Sequence, residues 1–74
     1  MTPEQQMGSF VTAAESLIRS LCHYKDGWEY DGGEELADDP WGANRLLVFR
    51  REDYVTCYVG FRDEQPLYVL QRIE

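Results

Sequence analysis

The sequence predicts a small α+β domain in which one N-terminal helix packs on an antiparallel sheet of three or four strands. The N-terminal third repeats its apolar residues at helical spacing, and the C-terminal half alternates apolar and polar residues at strand spacing. The length of 74 residues corresponds to one domain. Hydrophobic residues make up 43% of the chain, which is enough for one thin core and is not typical of a disordered chain.

The helix is expected over about residues 3 to 23. Thr2 is a suitable N-cap, Pro3 fits the first helical position, and Glu4 lies at the positive end of the helix dipole. Apolar residues then recur in steps of three and four on one stripe, as expected for a helix that covers a flat sheet. The stripe consists of Met7, Phe10, Val11, Ala14, Leu17, Ile18 and Leu21.

Residues 26 to 44 form an acidic segment that we expect to be a loop containing a short strand. Seven acidic residues and no basic residue occur between positions 26 and 39. Trp28-Glu29-Tyr30 is a candidate short strand, because turn signals flank it at residues 26–27 and at Asp31-Gly32-Gly33. Asp39-Pro40 predicts a further turn.

Residues 45 to 73 predict a β-meander with strands at 45–51, 54–62 and 67–73, joined by short hairpin connections. The middle strand alternates most regularly and directs one set of side chains toward the helix: Val55, Cys57, Val59 and Phe61. The opposite face would then be open and unusually aromatic, with Tyr54, Tyr58, Tyr68 and Leu70.

Patterns for catalysis or metal binding are weak, so we expect neither an enzyme nor a cofactor. His23 is the only histidine, and Cys22-His23 lacks a second ligand pair at zinc spacing. The acidic residues do not follow the calcium-loop spacing, and no phosphate-binding glycine loop or nucleophile motif occurs. Cys57 lies in the middle of a strand on the core side, so we expect a small buried side chain rather than a reactive thiol.

The net charge of −7 argues against direct binding to nucleic acid or to an anionic membrane. The sequence contains no apolar run of transmembrane length, and the N-terminus lacks the features of a signal peptide. We therefore expect a cytoplasmic protein with reduced thiols, and a Cys22–Cys57 disulfide is the less favoured alternative.

The acidic segment also contains large aromatic residues, a combination suited to docking on a basic protein surface. In this hypothesis the partner-binding residues are Trp28, Glu29, Tyr30, Asp31, Glu34, Glu35, Asp38, Asp39 and Trp41. Each tryptophan has an alternative structural role at the edge of the small core. The acidity has an alternative explanation as well, because this net charge is ordinary for a soluble domain.

The open sheet face supports alternative functions. Tyr54, Tyr58, Tyr68 and Leu70 would form a homodimer interface, or a stacking platform for single-stranded nucleic acid with Arg50, Arg62 and Arg72 nearby. A small accessory subunit of an enzyme is a further alternative.

In size, acidity and lack of catalytic motifs, the chain is similar to small inhibitor proteins of mobile elements, such as phage anti-CRISPR and DNA-mimic proteins, and to toxin-immunity proteins. The similarity lies in these general properties and rests on no sequence motif. It implies an acidic protein that occupies the basic nucleic-acid channel or active site of its target.

Overall fold

A computed structural model describes residues 3 to 73, with side chains from residue 7 onward, and confirms the predicted α+β class. Helix α1 (Pro3–Leu21) is followed by strands β1 (Glu29–Glu35), β2 (Arg45–Arg50), β3 (Val55–Arg62) and β4 (Gln65–Ile73). The strands pair antiparallel in sequence order, so β1 and β4 are the two edges of the sheet. The predicted cap, Thr2, and the side chain of Glu4 lie outside the described part of the chain.

Six of the seven residues of the predicted stripe on α1 face the core, and three of them, Met7, Val11 and Leu17, are only partly buried. Phe10, Ala14 and Ile18 are buried, and Cys22 continues this line directly after the last helical turn. The prediction was wrong for Leu21, whose side chain is 66% exposed. The buried residues follow each other in steps of four, so Leu21 lies about 100° around the helix from the next inward position.

The core lies between α1 and the two central strands. Leu47 and Phe49 of β2 and Cys57, Val59 and Phe61 of β3 are all buried against the helix. The rings of Phe10 and Phe61 meet edge to face, with their centroids 5.2 Å apart. The predicted inward side of the middle strand is therefore confirmed. Burial of each large side chain contributes about 1.5–3 kcal/mol, which makes this cluster the main source of stability.

Strand β1 extends through the residues that were predicted to form a turn. Asp31-Gly32-Gly33 lies inside the strand, and the pairing register with β2 shifts between Tyr30 and Gly33. Gly32 has a φ of 109°, so the extra residue is accommodated as a β-bulge. The turn prediction was wrong because pairing with the apolar strand β2 outweighs the low strand propensity of acidic residues and glycine.

The β2–β3 and β3–β4 turns are both short, and each contains a non-glycine residue whose φ lies in the left-handed region. Tyr54 has a φ of 63° in the β2–β3 turn, and Asp63 has a φ of 55° in the β3–β4 turn. Tyr54 was predicted to begin the middle strand on the open face, and this placement was wrong. It lies in the turn, 74% exposed, because the backbone N–H of Arg51 donates to the carbonyl of Val55 and closes the hairpin before the strand begins.

Candidate functional site

Trp28 lies at the edge of the core near the end of α1. Its ring is partly buried against the core, and its indole N–H donates to the carbonyl oxygen of Tyr24 at 3.0 Å. The guanidinium of Arg51 lies over both rings, 4.4 Å from the Tyr24 centroid and 5.6 Å from that of Trp28. Trp28 therefore occupies the structural position that the sequence allowed as an alternative to an anchor.

Trp41 lies far from Trp28 and is 66% exposed. It belongs to the loop between β1 and β2, whereas Trp28 precedes the other end of β1. Trp41 packs beside Tyr68 on the helix-free side of the sheet, whereas Trp28 packs against the core on the helix side. The two tryptophans therefore do not form one cluster of anchors.

Asp39 holds the β1–β2 loop in a fixed conformation. One carboxylate oxygen accepts the backbone N–H groups of Trp41 and Ala43, each at 3.0 Å, and the other accepts the hydroxyl of Tyr68 at 3.0 Å. Desolvation raises the pKa of Asp39, but hydrogen bonds from Ala43, Tyr68 and Trp41 outweigh it and hold the pKa below its usual value. Asp39 is therefore a structural residue of the loop.

The ring of Tyr68 reaches this loop because it crosses the sheet over Gly60. A β-carbon on Gly60 would lie 2.2 Å from Cζ of Tyr68, so only glycine leaves room for the ring. The ring of Trp41 then packs beside that of Tyr68, with 5.5 Å between centroids. The loop from the acidic segment is thus fixed against the helix-free side of the sheet.

The acidic residues of β1 differ in whether they form ion pairs. Asp31 forms an ion pair with Nε of Arg50 at 2.5 Å. Glu29, Glu34 and Glu35 are exposed, and none of them forms an ion pair with a residue in the described range 7–73. Asp38 is also exposed, in the loop that follows β1.

An open groove lies at the end of the sheet where β1 ends and β2 begins, beside the first half of α1. We call it the end groove. Its larger part has a volume of about 740 Å³, and it is lined by Phe10, Glu35, Leu36, Asn44, Arg45, Asp63, Glu64 and Gln65. A smaller part of about 240 Å³ continues along β1, and it is lined by Met7, Tyr30, Gly33, Glu34, Glu35, Arg45 and Leu47. Both parts share Glu35 and Arg45, which are direct neighbours in the β1–β2 register.

Tyr30 helps to form the floor of the end groove. Its ring packs beside Phe49, with 5.6 Å between centroids, and its hydroxyl donates to Sδ of Met7 at 3.6 Å. The side chain remains 38% exposed, so the groove is only partly filled by the chain itself. Tyr30, Glu34 and Glu35 are the predicted partner-binding residues that the structure brings together.

The rim of the end groove is fixed by a reciprocal pair across two hairpins. The side-chain amide of Asn44 donates to Asp63 at 3.2 Å, and the backbone N–H of Asp63 donates to the Asn44 side-chain oxygen at 3.0 Å. Sequence reasoning missed three residues of this rim: Asp63, Glu64 and Arg45. Only the register of the hairpins brings them beside β1. No local pattern in the sequence indicates this neighbourhood.

On the helix-free side of the sheet, which we call the open face, Tyr58 and Leu70 are direct neighbours, and Tyr68 lies in the adjacent row above Gly60. Three of the four predicted dimer-face residues therefore lie together. Gly60 was not selected from the sequence, although a glycine inside an alternating strand is a signal of close approach.

The three arginines predicted near the open face have different environments. Arg50 is paired with Asp31, and Arg62 donates to the carbonyl of Gly42 at 3.2 Å. Arg72 is exposed on β4 and forms no ion pair with a residue that the structure describes.

The two cysteines meet in the core as free thiols. Sγ of Cys22 lies 3.7 Å from Sγ of Cys57, and both side chains are buried. Desolvation, together with the neighbouring Cys22, raises the pKa of Cys57 to about 12. This confirms the expected buried position of Cys57 and means that its thiolate is scarce at neutral pH. His23 lies in the chain directly after Cys22 and is exposed.

Among the side chains of residues 7–73, no group of three or more from His, Cys, Asp or Glu is arranged to hold a metal ion. No helix within residues 3–73 is both long and apolar enough to cross a membrane. Comparison with protein-family models, with characterised proteins and with solved structures finds no match to this chain.

Proposed function

We propose that this protein is a non-catalytic binding domain that docks on a basic partner protein through the end groove. The supporting observation is the composition of the groove: Glu35, Asp63 and Glu64 line its larger part, and Met7, Tyr30 and Leu47 form an apolar floor in its smaller part. Arg45 is the one basic residue in its described lining, and its guanidinium lies 4.6 Å from the centroid of the Phe10 ring. The carboxylates therefore outnumber the positive charge at the rim.

The chemistry of the groove favours a partner segment that carries arginine or lysine beside an apolar side chain. The apolar side chain would bury the exposed part of Tyr30, and the cationic groups would meet Glu35 and Glu64. The net charge of −7 would increase the rate of encounter with such a partner at low salt.

We extend this proposal to the identity of the basic surface. A nucleic-acid-binding site on another protein is strongly basic because it must neutralise phosphates, so an acidic domain that covers it would act as an inhibitor. This mode of action is the one implied by the similarity in class to phage anti-CRISPR, DNA-mimic and immunity proteins. We place the protein in the cytoplasm, where the free thiols of Cys22 and Cys57 would stay reduced.

The test uses a fluorescein-labelled extended peptide that alternates arginine with leucine, with fluorescence anisotropy as the measurement. We expect saturable binding at low salt that weakens as salt is added. Glu35→Lys should raise the dissociation constant about five- to tenfold, because it replaces an attraction by a repulsion at the centre of the groove.

Glu52→Lys is the matched control, because Glu52 is an exposed acid in the β2–β3 turn, at the other end of the sheet. It changes the net charge by the same amount and should leave the affinity within about twofold of the parent protein. Equal weakening by both substitutions would show that only net charge matters, and the groove would not be the site. Absence of binding at low salt would remove the proposal.

A further inference from the structure

The open face is apolar over three adjacent strands although α1 does not cover it. Val48, Tyr58 and Leu70 form one row of direct neighbours across β2, β3 and β4. Leu46, Gly60 and Tyr68 form the next row, in which the ring of Tyr68 lies over Gly60. An exposed sheet face normally carries polar side chains at such positions, so this composition indicates an interface.

We propose that the open face binds a second copy of this chain, sheet against sheet, about a two-fold axis parallel to the strands. The proposal goes beyond the docking of a basic partner and uses the opposite side of the sheet. With this symmetry, β2 of one copy lies over β3 of the other, so Val48 meets Tyr58 of the second copy. Leu46 meets the ring of Tyr68 that covers Gly60 in the second copy.

The charges on the open face select this axis. Glu29, Arg50, Thr56 and Arg72 follow one another across the sheet in a third row, with the acid at the β1 edge and Arg72 at the β4 edge. An axis parallel to the strands places β1 over β4 of the second copy, so Glu29 faces its Arg72. An axis perpendicular to the strands would instead place Glu29 over Glu34 of the second copy, which is unfavourable.

The area of the open face sets the strength of the dimer that we expect. Four strands at about 4.8 Å spacing and seven residues at about 3.3 Å give a footprint of about 440 Å² per copy. This is about half of the area that each partner contributes to a standard stable interface. Trp41 beside Tyr68 enlarges the patch at one edge. We therefore expect a weak, concentration-dependent dimer.

Sedimentation velocity of the full chain from about 5 to 500 micromolar tests this, because weak interfaces dissociate in that range. We expect a shift from monomer to dimer with rising concentration. Glu29→Lys and Arg72→Glu should each raise the dimer dissociation constant about five- to tenfold. The double variant should return to within about twofold of the parent, because the pair is restored with reversed charges.

Matched controls are Glu52→Lys in a turn and Arg19→Glu on α1, both exposed and outside the open face. Leu70→Asp, at a position that is 48% exposed, should abolish the dimer while circular dichroism shows an unchanged fold. A monomer at the highest concentration would overturn the proposal. A double variant no better than either single variant, or a dimer unaffected by Leu70→Asp, would do so as well. Glu35→Lys should weaken peptide binding and leave the dimer intact, which separates the two surfaces.

Discussion

Replacing Gly60 by alanine tests the arrangement that fixes the β1–β2 loop against the sheet. The added methyl group would lie 2.2 Å from Cζ of Tyr68, well inside the contact distance of about 3.5–4.0 Å between carbon atoms. Gly60 is not among the residues with positive φ, so its backbone conformation accepts alanine. The ring of Tyr68 is the obstacle and must leave its place.

The magnitude follows from three contributions. Inserting a methyl group into a packed site costs about 1–3 kcal/mol. The lower part of this range applies here, because the partly exposed ring of Tyr68 can turn outward. Separating the rings of Tyr68 and Trp41 costs about 0.5–1.5 kcal/mol. Alanine in a strand gains about 0.5–1 kcal/mol over glycine. We expect a net loss of about 1–2 kcal/mol in the free energy of unfolding, or roughly 5–15 °C in Tm for a domain of this size.

The decisive measurement is the same substitution in a Tyr68→Ala background, with urea denaturation followed by circular dichroism. Without the ring, Gly60→Ala should stabilise the protein by about 0.5–1 kcal/mol, so the effect reverses its sign. Equal destabilisation in both backgrounds would refute the reasoning, because the cost would then arise from the strand and not from Tyr68.

Other predictions concern the core, the thiols and the loop. Ile18→Ala should lower the free energy of unfolding by about 2–5 kcal/mol, because the side chain is completely buried. Leu21→Ala should change it by less than about 0.5 kcal/mol, and urea denaturation compares the two. A pKa of about 12 predicts that Cys57 resists iodoacetamide in the folded protein at mildly alkaline pH and reacts only on unfolding, as mass spectrometry would show. Although desolvation raises the pKa of Asp39, hydrogen bonds to its carboxylate hold that pKa below the usual value of 3.8. The contribution of Asp39 to stability is therefore present at neutral pH and is lost as the pH falls below about 4. An acid titration of stability should therefore be shallower for Asp39→Asn, and an unchanged titration would contradict this assignment.

The regular parts of the fold could be predicted because their signals are local and periodic. The inward steps of Phe10 and Ile18 and the alternation around Val59 depend on neighbours a few residues away in the chain. Burial of Cys57 followed from the same alternation. These features carry the core, so the fold class followed from sequence patterns alone.

Local sequence patterns gave wrong predictions at the end of α1 and in the acidic segment. Leu21 satisfies the helical spacing, but α1 ends there and the inward position passes to Cys22. Asp31-Gly32-Gly33 has the composition of a turn, but pairing with β2 draws it into a strand with a bulge. In the second case a long-range contact outweighs a local preference of about 1 kcal/mol or less.

The sequence by itself determined the helix, the central strands and the acidic, aromatic composition of residues 26 to 41. Only the tertiary structure decided which of those residues share a surface. It moved Trp28 to the edge of the core, fixed Trp41 beside Tyr68, and brought Glu35 together with Asp63 and Glu64. The physical reason is that secondary structure depends on periodicity within a segment, whereas a binding surface depends on the register between strands that are distant in sequence.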